Sequence, residues 1–264
     1  MYNKISQMLP ILFSVGSFNF YTLGLTIGVS FLIAAFIIWR RLKELNLKEE
    51  KIIDFLIIAS FFSWLTARTF YIIQNWGEFK HFTTRWFDFM RFPGFSYFGS
   101  IIGLLAISIW YAKKQKWDYW QILDEVIYGL LPFMIFTQLG CFFDGSGQGK
   151  PTTIPWGVFF PGSLVRRQPL SIFTAIALFL IWVLLLRIER EWRFWEWYKS
   201  KAQGIILLIF LSLFFASNIP LAFLKDSKIY FFLLDLFTNI LGLLVVGVIF
   251  YIRSGRKIIN YGKK

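Results

Sequence analysis

The chain has 264 residues, 57% of them hydrophobic and 21% aromatic, with charged residues at only 16% and a formal net charge of +13. Soluble domains run at roughly 45–50% apolar and about 25% charged, so there is too little polar surface here to cover a water-soluble globule, and disorder is excluded on the same ground. One cysteine (Cys141) forbids an internal disulfide, and one histidine (His81) with that cysteine cannot build a His/Cys metal cage.

A helix needs about 20 mostly apolar residues to cross a hydrocarbon core of ~30 Å. Seven segments meet or approach this: residues 18–39, 52–74, 97–112, 122–143, 169–186, 204–224 and 231–252. Together they predict one all-α integral membrane domain over 1–264. Residues 1–17 lack a clean small-x-small cleavage site and read as an extramembrane or interfacial segment, not a secretory signal. Lys and Arg cluster after spans one, three, five and seven, as in Arg40-Arg41, Lys113-Lys114, Arg187 to Lys201 and Arg253 to Lys264. Eighteen of the 28 cations fall on that side, nine on the other, and only Arg68 lies inside a span. The positive-inside rule then places the N-terminus outside and the C-terminus in the cytoplasm. The net charge is therefore a topology signal directed at anionic lipid, and no nucleic-acid partner is expected.

Two long connections face outward, 75–96 and 144–168. The first carries Trp76, Phe79, Phe82, Trp86, Phe87 and Phe89 among Lys80, Arg85 and Arg91, spaced for an amphipathic helix on the outer leaflet or for a simple aromatic belt. The inner run Trp192–Tyr198 has the same character.

Polar side chains inside spans cost free energy, about 2.5–3.5 kcal/mol for a charge at mid-helix on an insertion scale, so they turn to the bundle interior. Arg68 and Tyr71 in span two, Gln138 in span four, Asn218 in span six, and Asp235 with Asn239 in span seven are such residues. They point to an outer-half polar cavity, lined also by Tyr21; Arg68 and Asp235 could alternatively pair only to hold two spans together. Asp124 and Glu125 read as acids at the start of span four, where a helix N-terminus favours them. Several chemistries drop out. The last span has no lysine for a Schiff base, no span offers the Lys or His of an intramembrane serine protease, and a metalloprotease lacks ligands. No metal and no cofactor is expected.

Taken in order, these segments resemble one family, the phosphatidylglycerol–prolipoprotein diacylglyceryl transferases of bacterial inner membranes. The carriers are Phe18-Asn19-Phe20-Tyr21, Ala67-Arg68-Thr69-Phe70-Tyr71, Gly94-Phe95-Ser96-Tyr97-Phe98-Gly99-Ser100, Asp124, Pro132, Leu139-Gly140, Trp156 to Ser163 and Arg167-Gln168-Pro169. The resemblance implies a multi-pass inner-membrane protein. It would transfer diacylglyceryl from phosphatidylglycerol, or bind another anionic phospholipid, and its second partner would be a lipoprotein precursor whose lipobox cysteine thiol accepts the group. It also implies site residues: Tyr21, Arg68, Tyr71, Gly99 and Arg167 match the family pattern. Other positions depart from it. The histidine of its H-G-G falls on Phe98, the arginine and first asparagine of its G-R-x-G-N on Gln138 and Cys141, the later asparagine on Asp144, and the arginine of span six on Asn218. A thiol needs help from a base, and a departing glycerol phosphate needs cationic donors. With those substitutions, Arg68 is the expected phosphate ligand and Asp144 or Asp235 the expected base. The alternative is a catalytically degenerate relative, a pseudoenzyme that binds phospholipid or lipopeptide without transfer.

Overall fold

The computed structural model describes residues 8–16, 18–80, 83–88, 94–191 and 203–253. Seven long helices dominate: α1 Thr22–Glu44, α2 Glu49–Gln74, α4 Tyr97–Lys114, α5 Tyr119–Asp144, α6 Leu170–Glu191, α7 Ile205–Leu224 and α8 Ile229–Arg253, with a one-turn helix α3 at Trp76–Phe79. Six of them are long and apolar enough to cross a membrane, so the chain is a multi-pass membrane protein. Helix α4 is outside that set: it has only 18 residues and closes on Lys113-Lys114.

Every predicted span lies within or largely on a helix, yet α1 and α6 each run five residues further, to Glu44 and Glu191. Hydropathy sees only the hydrocarbon part of a helix. The Arg, Lys and Glu that follow are good helix formers, so the backbone continues into the interface.

The chain divides into two compact units, one formed by residues 37–126 and the other by 1–36 with 127–264. The first is a helical packing around Leu42, Ile52, Phe55, Ala59, Ile107, Tyr111, Ala112 and Val126. Its helices are cleanly punctuated. Glu49 and Glu50 occupy the first turn of α2, where the macrodipole favours acids. The Ser96 side chain caps α4 by accepting from Gly99 N. After α4, Lys116 adopts a left-handed conformation (φ 60°) and Trp117 N donates to Ala112 O at 2.8 Å, the bond pattern that closes helix ends at a left-handed residue. Helices α2 and α4 touch through small residues. A Cβ on Gly99 would stand 2.8 Å from Thr66 O and 2.7 Å from Phe70 Cβ, and Ser63 Oγ donates to Ser100 O at 2.8 Å. Such contacts replace the hydrophobic drive that helices lack in lipid.

The second unit adds strands that the helical reading did not foresee. Residues Ile11–Val15 (β1) and Phe18–Tyr21 (β2) pair as an antiparallel hairpin, and Phe13 stacks on Phe20 at 4.5 Å. Span one therefore begins at Thr22 and not at Phe18, because a short apolar run does not by itself tell strand from helix. The connection after α5 folds into a three-stranded antiparallel sheet, β3 Gln148–Pro151, β4 Val158–Phe159 and β5 Arg166–Pro169, in the order β3-β5-β4. Helices α6, α7 and α8 then pack in sequence.

Two further expectations are corrected. The connection 75–96 is not one amphipathic helix. It holds α3 and a separate 3-10 turn at Thr83–Trp86; Phe82, Phe89 and Arg91 lie outside the described residues, as does the run Trp192–Tyr198. Asp124 and Glu125 are not a helix start. Helix α5 opens three residues earlier than expected, with Asp118 Oδ1 accepting from Trp120 N at 2.9 Å. The two acids therefore stand in its second turn, 5% and 4% exposed, with Glu125 Oε2 3.3 Å from Arg41 Nη1.

Candidate functional site

The expected site residues fall into two sets, one in each unit. The first is organised by Arg68. Two-thirds of the way along α2 and only 4% exposed, a guanidinium there needs several acceptors at once. Three backbone carbonyls supply them: Nε donates to Trp86 O at 3.1 Å, Nη1 to Gly94 O at 3.0 Å and Nη2 to Arg85 O at 3.1 Å. The plane also lies over the rings of Phe79, Tyr71 and Phe95, at 5.3, 5.7 and 6.0 Å. Planarity and five fixed N–H vectors suit this duty, which a lysine could not match. Gly94 completes the arrangement: a Cβ there would stand 2.1 Å from the Tyr71 ring, so only glycine lets the chain reach the arginine. Arg68 and Tyr71 thus bind the loop between α3 and α4. Nothing in the sequence signalled that the Arg85, Trp86 and Gly94 carbonyls return to this arginine. Phe98, at the family's histidine position, is 47% exposed on the first turn of α4, and Gly99 beside it is the close-packed contact with α2.

The second set lies in the other unit. Gln138, Cys141 and Asp144 are spaced by three along the last two turns of α5, so they share one broad helix face. The helix closes there as the Cys141 carbonyl accepts from Ser146 N and Gly147 N. At Gly140 a Cβ would meet Thr26 Oγ1 at 2.0 Å, so α5 and α1 approach closely at this level. Gln138 and Asp144 are half-buried, and among the described residues neither side chain makes a hydrogen bond or ion pair. The other candidate base is engaged. Asp235 Oδ2 accepts from Lys225 Nζ at 2.6 Å, while its backbone carbonyl holds the Asn239 amide. Arg167, in β5, donates to Asp226 Oδ2 at 2.6 Å, to Gly149 O and to Ser163 Oγ. Asn218 turns its amide to the Phe214 carbonyl one turn back in α7. Tyr21 is 56% exposed at the end of β2.

Sequence reasoning missed Lys225 and Asp226 as partners of Asp235 and Arg167. The available signal was the separation of ten residues between Lys225 and Asp235 across a short helix–helix turn, which returns the chain to the same height. Among the described residues, no group of three His, Cys, Asp or Glu is placed to hold a metal ion.

The model of the prolipoprotein diacylglyceryl transferase family matches residues 10–253, nearly the whole chain. The chain belongs to this family. Similar family members include a phosphatidylglycerol–prolipoprotein diacylglyceryl transferase of Clostridium tetani (strain Massachusetts / E88), 28% identical across 91% of this chain and 98% of the relative. The enzymes so named from Clostridioides difficile (strain 630) and Proteus mirabilis (strain HI4320) are 24% and 26% identical. They cover 72% and 83% of this chain and 73% and 75% of the relatives. The family model runs from the β1–β2 hairpin to the end of α8, so both sets of candidate residues lie within the family match.

Proposed function

We propose that this protein transfers the diacylglyceryl group of phosphatidylglycerol to the cysteine thiol of a lipoprotein precursor. It does so as a seven-span protein of a bacterial inner membrane, N-terminus outside. The family match over residues 10–253 carries this reading. In the reaction the thiol sulfur bonds to the glyceryl carbon, the bond from that carbon to the phosphate oxygen breaks, and glycerol phosphate leaves. The thiol proton needs an acceptor. Phe98 cannot supply one, and Asp235 is held by Lys225. Asp144 is the carboxylate on the face shared with Gln138 and Cys141, and we assign it that role. Arg68 then acts on the loop that it holds and not on the phosphate.

One observation favours a second reading, binding without transfer. Phe98 carries no proton acceptor and Gln138 carries no charge, and one missing preorganised donor typically lowers a rate about 10²–10³-fold. Transfer to a lipobox peptide from the native host decides between them. The wild type should modify the peptide, and Asp144→Asn should lower the rate by about 10²–10⁴, the range of a lost general base. A wild type that retains phosphatidylglycerol but modifies nothing, also after Phe98→His, Gln138→Arg and Cys141→Asn together, establishes the second reading. Orientation has its own test: a reporter active only in the cytoplasm should work when fused after Lys264, and silence there with activity at Trp86 would reverse the topology.

A further inference from the structure

The cations of the second unit are concentrated where its three-stranded sheet meets the turn between α7 and α8. Lys150 (β3), Arg167 (β5), Lys225 and Lys228 lie there, against two carboxylates, Asp226 and Asp235. Short distances tie the pieces together. Arg167 Nη1 is 2.6 Å from Asp226 Oδ2 and 3.2 Å from Gly149 O. Gly149 itself lies so close to Leu224 that a Cβ would be 2.6 Å from the Leu224 carbonyl. Lys225 Nζ is 2.6 Å from Asp235 Oδ2, and Lys150 Nζ lies 5.8 Å from the centre of the Phe232 ring in the first turn of α8. Lys150, Lys225 and Lys228 are all exposed. Four cations therefore share one small region with two acids, and the surplus is positive.

Immediately beside this collar, α8 presents an uncovered apolar ridge. Tyr230, Leu234, Phe237, Leu241, Leu244 and Val248 follow one another at spacings of three and four and are 45% exposed or more. A row of that kind on a membrane helix faces acyl chains. A cationic collar above an acyl-facing ridge matches one molecular shape, an anionic phospholipid with its phosphate at the collar and its chains along α8.

We propose that Lys150, Lys225 and Lys228 form a recognition site for the phosphate of an anionic phospholipid whose acyl chains lie on α8. The site deepens the function proposed above, on which it rests, by naming the residues that select the lipid by charge. The committed cation Arg68 and the neutral Gln138 leave that selection to be made elsewhere. Asp226 and Asp235 hold Arg167 and Lys225 in place and offset the repulsion among the clustered cations. Anionic lipid gains about 1 kcal/mol per Lys or Arg near the surface, close to fivefold in binding.

The test uses the full chain in nanodiscs and native mass spectrometry of retained lipid. Lys150 and Lys228 make no ion pair among the described residues, so Lys150→Gln with Lys228→Gln removes two charges without stranding a carboxylate. Retention of phosphatidylglycerol should fall at least about tenfold in this variant, while phosphatidylcholine, with no net charge, should be retained weakly and equally by both proteins. Lys114→Gln, at the end of α4, should retain phosphatidylglycerol as the wild type does. Inorganic phosphate at millimolar concentration should not displace the lipid. Equal phosphatidylglycerol retention by the double variant overturns the proposal, as does equal retention of phosphatidylcholine and phosphatidylglycerol by the wild type. Full displacement by inorganic phosphate replaces it with a site for a free anion. Transfer activity is read separately on the same proteins. A wild type that shows the charge-dependent retention but no transfer removes the transferase reading and leaves this site standing, and intact transfer without such retention does the reverse.

Discussion

Removal of the Arg68 guanidinium should free the loop that precedes α4. The three carbonyls that it binds belong to Arg85, Trp86 and Gly94, and the side chain is 4% exposed. A hydrogen bond to a charged group contributes about 1.5–3 kcal/mol, and three on one group are not additive, so Arg68→Met should cost the loop about 4 kcal/mol. Arg68→Lys keeps the charge but offers no planar fork, and should lose about half of that. The Arg85 carbonyl belongs to the peptide bond that trypsin would cut, and cutting requires this segment to open locally. A loss of 4 kcal/mol raises the open population about 10³-fold, and cleavage after Arg85 should accelerate in proportion while opening remains fast relative to cutting. Digestion of the detergent-solubilised wild type, Arg68→Lys and Arg68→Met, with the fragment ending at Arg85 followed by mass spectrometry, measures the effect. Cleavage of Arg68→Met at the wild-type rate would refute the clamp and return the guanidinium to the role of an open phosphate ligand.

At Gly99 the obstacle to a side chain is backbone, Thr66 O at 2.8 Å and Ala67 Cα at 3.0 Å. Gly99→Ala should therefore push α2 and α4 apart at a cost of about 1–3 kcal/mol, seen as a lower thermal midpoint in detergent. Arg41→Met removes the guanidinium that faces the buried Glu125 carboxylate and should destabilise by about 3 kcal/mol. The double variant Arg41→Met with Glu125→Leu should recover most of that loss, and a cycle in which the two costs simply add would deny the pairing.

Apolar runs of membrane length and the side on which Lys and Arg collect are properties of the chain read one residue after another. That is why seven helical segments and their approximate limits could be placed from sequence. The order of short motifs from Phe18 to Pro169 carried the family in the same way. The hairpin at Ile11–Tyr21 could not be read so directly, because its apolar residues satisfy a strand as well as a helix until a second strand comes alongside. Asp124 and Glu125 were misplaced because a helix start depends on its cap, Asp118, four residues before the apolar run. Pairing was the least accessible property. Whether Arg68 meets a phosphate, a carboxylate or three carbonyls depends on where an aromatic loop folds back, and whether Asp235 is a base or a counter-ion depends on the turn that brings Lys225 to it. Side-chain partners are settled by distances of a few ångströms between residues far apart in the chain, and only the tertiary structure fixes those distances.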